Sequence, residues 1–174
     1  MDDPRPSFET LALPHLDAAY NLARWLSPSP SDAEDIVQDA MLRAYRAFGG
    51  FRGGNVRPWL LAIVRNCSRN RAAEVQRRGH SALPEEDDRP LVDGGPDPEA
   101  QAMRASESRR LSAAISALPE AFREVLILRE IEDLSYQEIA ETIGAPIGTV
   151  MSRLARARAM LRDQWLKEVS DELR

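Results

Sequence analysis

The chain has 174 residues, 43% apolar and 29% charged, with a net charge of −5. That length holds one ordinary domain or two small ones, and charges of both signs exclude wholesale disorder. A single cysteine, Cys67, excludes an intramolecular disulfide framework, so a cytoplasmic location is expected. The N-terminus lacks the basic and apolar pattern of a secretory leader. The longest strictly apolar run, residues 59–64, is far too short to span a bilayer, so no membrane insertion is expected.

Twelve prolines punctuate long stretches rich in Ala, Leu, Arg and Glu, which are strong helix formers. No stretch sustains the period-two alternation of a half-buried strand, so the expected fold class is all-α, with two small helical domains joined by a flexible acidic linker. The N-terminal domain is expected over residues 8–78. Ser31 and Glu34 form a capping box that opens a helix over 31–48. Ile36, Ala40, Ala44 and Phe48 make one buried row of it, with Val37, Met41 and Tyr45 beside it. Asp35, Gln38, Asp39, Leu42, Arg43 and Arg46 lie on its other faces, where an Asp39–Arg43 pair at i,i+4 would stabilise an ordinary solvated surface.

A glycine-rich loop follows, Gly49–Trp59, without a preceding strand or a Gly-Lys-Ser/Thr ending, so it is no phosphate loop. Phe51 stands there among Arg52 and Arg57, a combination that suits single-stranded bases and their phosphates. Pro58 starts the next helix, whose apolar side is Leu60, Ile63, Val64 and Cys67. Asn66 and Asn70 share another face with Arg65, Arg69 and Arg77 nearby, and an asparagine amide offers a base edge both a donor and an acceptor. Residues 52–79 carry a net +6.

Residues 79–100 are expected to be the linker. From 81 to 100 there are four prolines, the Gly94-Gly95 pair and a net charge of −6, with no apolar periodicity. The total of −5 therefore conceals two adjacent patches of opposite sign, and local fields steer charged ligands more than totals do.

The C-terminal domain is expected over residues 101–174. Ser135 and Glu138 form a capping box, Ile139, Ala140 and Ile143 an inward stripe, and Gly144 a left-handed stop. Pro146 suits the first turn of a second helix, on which Ile147, Val150, Leu154, Ala157 and Leu161 recur at helical spacing. The opposite face carries Ser152, Ala155, Arg156 and Ala159. Thr149 and Arg153 flank it on one side, and Met151, Arg158 and Arg162 on the other. A narrow face of small residues edged by guanidiniums fits a major groove, and a capped helix, tight turn and second helix together are a helix-turn-helix signature.

Catalysis is not expected. Cys67 lies on an apolar helix side, His15 and His80 have no metal-ligand spacing with it, and no HExxH, CxxC or Gly-x-Ser-x-Gly pattern occurs. No metal and no cofactor are expected.

Taken together, Asp-Ala-Glu-Asp-Ile-Val-Gln-Asp-Ala-Met-Leu-Arg-Ala-Tyr (32–45), Phe-Arg-Gly (51–53), Trp-Leu (59–60), Arg-Asn (65–66), Leu-Pro (118–119), Leu-Ser-Tyr-Gln-Glu-Ile-Ala (134–140) and Gly-Thr-Val-Met-Ser-Arg-Leu-Ala-Arg-Ala-Arg (148–158) resemble a bacterial RNA polymerase sigma factor. The resemblance is to the extracytoplasmic-function (ECF) group of the sigma-70 superfamily, in family order over nearly the whole chain. It implies a region 2-like bundle and a region 4-like helix-turn-helix. It implies that Asp35, Gln38, Asp39, Leu42 and Arg43 dock on core RNA polymerase. It implies that Phe51, Arg52, Asn66 and Asn70 capture the minus-ten element, with Arg65, Arg69 and Arg77 on the melted strand's backbone. Met151, Ser152, Ala155 and Arg156 would face the minus-thirty-five element of promoter DNA, with Thr149, Arg153 and Arg158 nearer the phosphates. An anti-sigma factor is an implied partner. The family often has a basic residue where Met151 stands; methionine offers apolar contact and no guanine readout. The alternatives are a stand-alone operator-binding regulator using the same helix-turn-helix and an adaptor whose basic face pairs with an acidic partner.

Overall fold

A computed structural model describes residues 6–79 and 98–172. Every regular element among the described residues is helical. The expected linker lies, from 80 to 97, outside the described residues.

In the N-terminal half, α1 (Phe8–Ala12), α2 (Leu16–Leu26), α3 (Pro30–Ala47) and α4 (Val56–Arg78) form a bundle. Leu22 and Ala23 of α2, Ile36, Ala40 and Ala44 of α3, and Leu60, Leu61 and Val64 of α4 are buried together. The alanines let the helix axes approach closely, so short helices still seal a core. Helix α3 begins one residue earlier than the expected capping box. Ser29, not Ser31, is its cap and accepts from the Asp32 N–H at 3.1 Å. The cause is Pro30, whose fixed φ suits the first helical position and whose missing N–H costs nothing there. Tyr45, expected beside the buried row, is exposed, and its ring meets Phe8 edge-on at 5.4 Å. Helix α4 likewise starts before Pro58, with Asn55 capping the Arg57 N–H at 3.1 Å.

In the C-terminal half, α5 (Pro98–Ser116) precedes α6 (Glu120–Glu130), α7 (Tyr136–Ile143) and α8 (Ile147–Glu172). Helix α5 begins at Pro98, so the last three residues of the expected linker are its first turn. The Ser135–Glu138 capping box is complete in both directions, and Gly144 ends α7 at φ 65°. Val150, Leu154 and Ala157 of α8 are buried against α6 and α7, as their spacing predicts. Ile147 is not: it is the first residue of α8 and is 44% exposed. Pro146 stands just outside α8 and lends its carbonyl to the N–H of Thr149 at 2.9 Å. Helix α5 lies along α8, where the Arg110 guanidinium sits 5.0 Å over the Trp165 ring.

The two halves are packed together, α2 on α6 and α4 on α7, and their buried residues form one continuous core. Polar links cross the same seam between α4 and the α6–α7 segment.

Candidate nucleic-acid and polymerase interfaces

Helix α8 presents the clearest surface. With Val150, Leu154 and Ala157 held inward, helical geometry turns Met151, Ser152, Ala155 and Arg156 outward, and all four are exposed, Met151 to 53%. Ser152 Oγ donates to the Thr149 carbonyl at 3.1 Å, which leaves the hydroxyl oxygen as an acceptor. Arg158 is tied to Glu130 at 2.6 Å, and that bond raises its already high pKa. Both partners are half exposed, so a phosphate can compete for the guanidinium in water. Arg153 is half-buried, on the side of α8 that faces the N-terminal half. Helix α7, on which α8 packs, is capped by Ser135, a contact of a kind worth about 1 kcal/mol. The Glu138 carboxyl is kept below its ordinary pKa chiefly by the Ser135 N–H, so the cap persists into mild acid.

On α4 the expected strand-binding residues divide into two sets. Asn66, Arg69, Asn70 and Arg77 are exposed, as is Arg52 in the loop. Arg69 lies 3.9 Å from Glu120, and Arg77 Nε donates to the Ala73 carbonyl at 3.3 Å. Arg65 is different. It is buried, and its Nε donates to Glu124 of α6. Burial, followed by Arg69 and Arg153, presses its pKa down, while Glu120 opposes; an arginine stays charged regardless. Phe51 is half-buried. Its ring stacks on Phe48 at 5.9 Å and meets Trp59 at 5.0 Å, so one face is already occupied.

The expected polymerase face on α3 is exposed at Asp35, Gln38, Asp39, Leu42 and Arg43. Leu42 is 56% exposed and Tyr45 lies beside it, so an apolar pair stands among charges. Arg43 Nε bonds both Asp39 oxygens at 3.0 Å, and Arg71 bridges Asp32 and Asp35. The Asp39–Arg43 pair expected for an ordinary helix surface is therefore present, and it holds the Asp39 carboxyl below its usual range. The face meets the exposed part of the strand set in a cleft lined by Asp39, Arg43, Asn70 and Arg77. Cys67 also lines that cleft, but its thiol is buried and pushed up to about 11 by that burial, with Asp39 adding to it. Its place as a small core residue agrees with its pattern. Among the described residues no cluster of His, Cys, Asp or Glu could hold a metal ion, and no helix is long and apolar enough to cross a membrane.

Sequence reasoning missed the residues that cover α4. Glu124 and Glu132 are 2% and 3% exposed, and Glu138 reaches Asn55 at 2.6 Å. The available signal was Glu124 itself, a carboxylate next to the buried apolar run Val125–Leu128.

The halves match known regions separately. The family described as Sigma-70 region 2 matches residues 11–78, and that described as Sigma-70, region 4 matches residues 108–161. The RNA polymerase sigma-H factor of Pseudomonas aeruginosa is 33% identical over 87% of this chain and 82% of its own length. The chain belongs to the ECF group of sigma-70 factors. The ECF RNA polymerase sigma factor SigE of Mycolicibacterium smegmatis is 39% identical over 95% of this sigma factor, which spans 64% of that relative's length. Among solved structures, the sigma factor RpoE in complex with the anti-sigma factor NepR from Bartonella quintana superposes at a TM-score of 0.72. It shares 30% identity and covers 90% of this sigma factor and 94% of its own chain. Membership makes the chain a transcription initiation factor that directs RNA polymerase to promoters, and the stand-alone regulator is not favoured.

Proposed function

We propose that this sigma factor binds core RNA polymerase through the α3 face and assigns it to promoters by two separate DNA contacts. Asp35, Gln38, Asp39, Leu42 and Arg43 dock on the polymerase. Met151, Ser152, Ala155 and Arg156 read the minus-thirty-five duplex, with Thr149, Arg153 and Arg158 near its phosphates. Asn66 and Asn70 hold an unpaired base of the minus-ten element, with Phe51 and Arg52 beside it, and Arg65, Arg69 and Arg77 bind the strand. The observation that carries this reading is the outward face of α8, small residues edged by arginines, on a capped and buried-seam helix-turn-helix.

No covalent chemistry is required. A protein that binds unpaired bases and strand phosphates better than duplex shifts the duplex toward opening by that difference alone. Small side chains at Ser152 and Ala155 allow close approach to the groove floor, and Arg156 can donate two hydrogen bonds to a guanine edge. Met151 offers apolar contact, as to a thymine methyl, so base preference there differs from that of a basic residue. An anti-sigma factor is a further proposed partner, since a similar sigma factor was solved bound to one. Location in the cytoplasm follows from this work on the chromosome. The test is run-off transcription with core polymerase on a library of genomic fragments. Discrete starts sharing spaced upstream elements support the reading; core-dependent starts indistinguishable from those of polymerase alone overturn it.

A further inference from the structure

Four acids of the C-terminal half stand against cationic and amide groups of the N-terminal half. Glu120 is 3.9 Å from Arg69, and Glu124 bonds Arg65. Glu132 accepts from Arg57 Nη2 at 2.7 Å, and Glu138 accepts from Asn55 Nδ2 at 2.6 Å. Positions 57 to 69 span roughly 18 Å of α4 at the helical rise. A row of anions along a row of arginines is the charge pattern of a nucleic-acid backbone.

We propose that these glutamates are an internal stand-in for the melted strand, so that docking of the C-terminal half on α4 and binding of single-stranded DNA there exclude one another. The inference rests on the proposed strand-binding role of α4. Arg65 and Arg57 cannot serve a carboxylate and a phosphate in the same place, and Arg65 is buried while the halves are docked. The stand-in is imperfect. Glu132 Oε1 and Arg57 Nε are buried and make no hydrogen bond within the protein. A buried pair left partly unsatisfied holds weakly, because desolvation offsets much of its attraction. A strand phosphate brings further acceptor oxygens for the same arginine, so the strand is able to displace its substitute. The duplex-reading face of α8 stays exposed in the docked form, so only the strand face is covered. Strand binding and opening are then linked, and the apparent strand affinity falls by the fraction of chains that are closed.

The experiment places nitroxide labels at Gln76→Cys and Ala113→Cys, one in each half, on the full chain with Cys67→Ala. Interdomain distances are measured with and without a single-stranded DNA oligonucleotide of about 16 nucleotides, whose affinity is measured in parallel. The expected result is that the oligonucleotide lengthens the distance. Glu124→Gln/Glu132→Gln should lengthen it without DNA and bind the oligonucleotide about tenfold tighter, as release from a mostly closed state requires. Should the double variant not fold, Glu132→Gln alone must move both readouts the same way. An opened variant with unchanged or undetectable strand binding overturns the proposal, as does an oligonucleotide that binds without changing the distance. Capture of the same chains on core polymerase separates the two levels: failure to bind core overturns the sigma-factor reading beneath, whereas core binding with strand affinity independent of opening overturns the stand-in alone.

Discussion

The two surfaces proposed to face DNA are in different states. The face of α8 is assembled by its own buried seam and stands open, with Met151 half exposed and Arg156 outward. The face of α4 is open at Asn66 and Asn70 but closed at Arg65, where Glu124 already sits. In the proposed function the first surface reads a duplex that exists before binding, and it gains from being preformed. The second is proposed to bind a strand that exists only after opening, and here Arg65 and Arg57 are paired with Glu124 and Glu132. A basic patch in sequence is not by itself a free basic patch.

The largest expected effect is at α8. Arg156→Ala should weaken binding to the upstream promoter element by roughly 10- to 100-fold, the range for a bidentate base contact, with core binding unchanged. Footprinting and core affinity measured together check it, and equal loss of both would show that α8 also docks on polymerase. On α3, Leu42→Ala should weaken core binding by roughly tenfold, as expected for an apolar anchor among charges. Its thermal midpoint should not move, because Leu42 is largely exposed. A shifted midpoint would assign it to packing instead. Gly144→Ala should destabilise the turn before α8 by about 1–2 kcal/mol, since φ 65° disfavours a Cβ. Urea unfolding would show it, and duplex affinity should follow while strand affinity does not.

The smallest effect concerns Cys67. Burial raises its thiol to about 11 in the folded chain, whereas an unfolded cysteine titrates near about 8.5. Folding therefore disfavours the thiolate. Its stabilising contribution is complete below about pH 8.5 and is lost as pH rises toward about 11. Alkylation at pH 8 should be slow in the folded chain and fast once it unfolds. Rapid native alkylation would mean that the cleft beside Asp39 is open to the thiol.

Much of the helix-turn-helix was legible because its signals are local. Ser135 and Glu138 lie three residues apart, Gly144 follows directly, and the stripe of α8 repeats within two turns. The misread residues lie where a neighbour decides. Ser29 displaced Ser31 as cap because of Pro30, and Ile147, at the very start of α8, is exposed whereas Val150 one turn on is buried. The covering of α4 was not legible. Glu124 is 59 residues from Arg65 and Glu132 is 75 from Arg57, and no periodic pattern spans such separations. The charge arithmetic did show that +6 and −6 patches adjoin in sequence. It carried no sign of the acids that face the N-terminal half, which come from α6, the turn after it and α7.

In the proposed function, duplex reading and strand capture are separate acts of separate faces. Permanganate reactivity of unpaired thymines, measured beside upstream protection, tests it on a promoter bound by core polymerase with wild-type chain or Asn66→Ala. The expected result is upstream protection retained and thymine reactivity lost in the variant, with reactivity restored on a template already melted at the minus-ten element. Loss of upstream protection in step with thymine reactivity would contradict it.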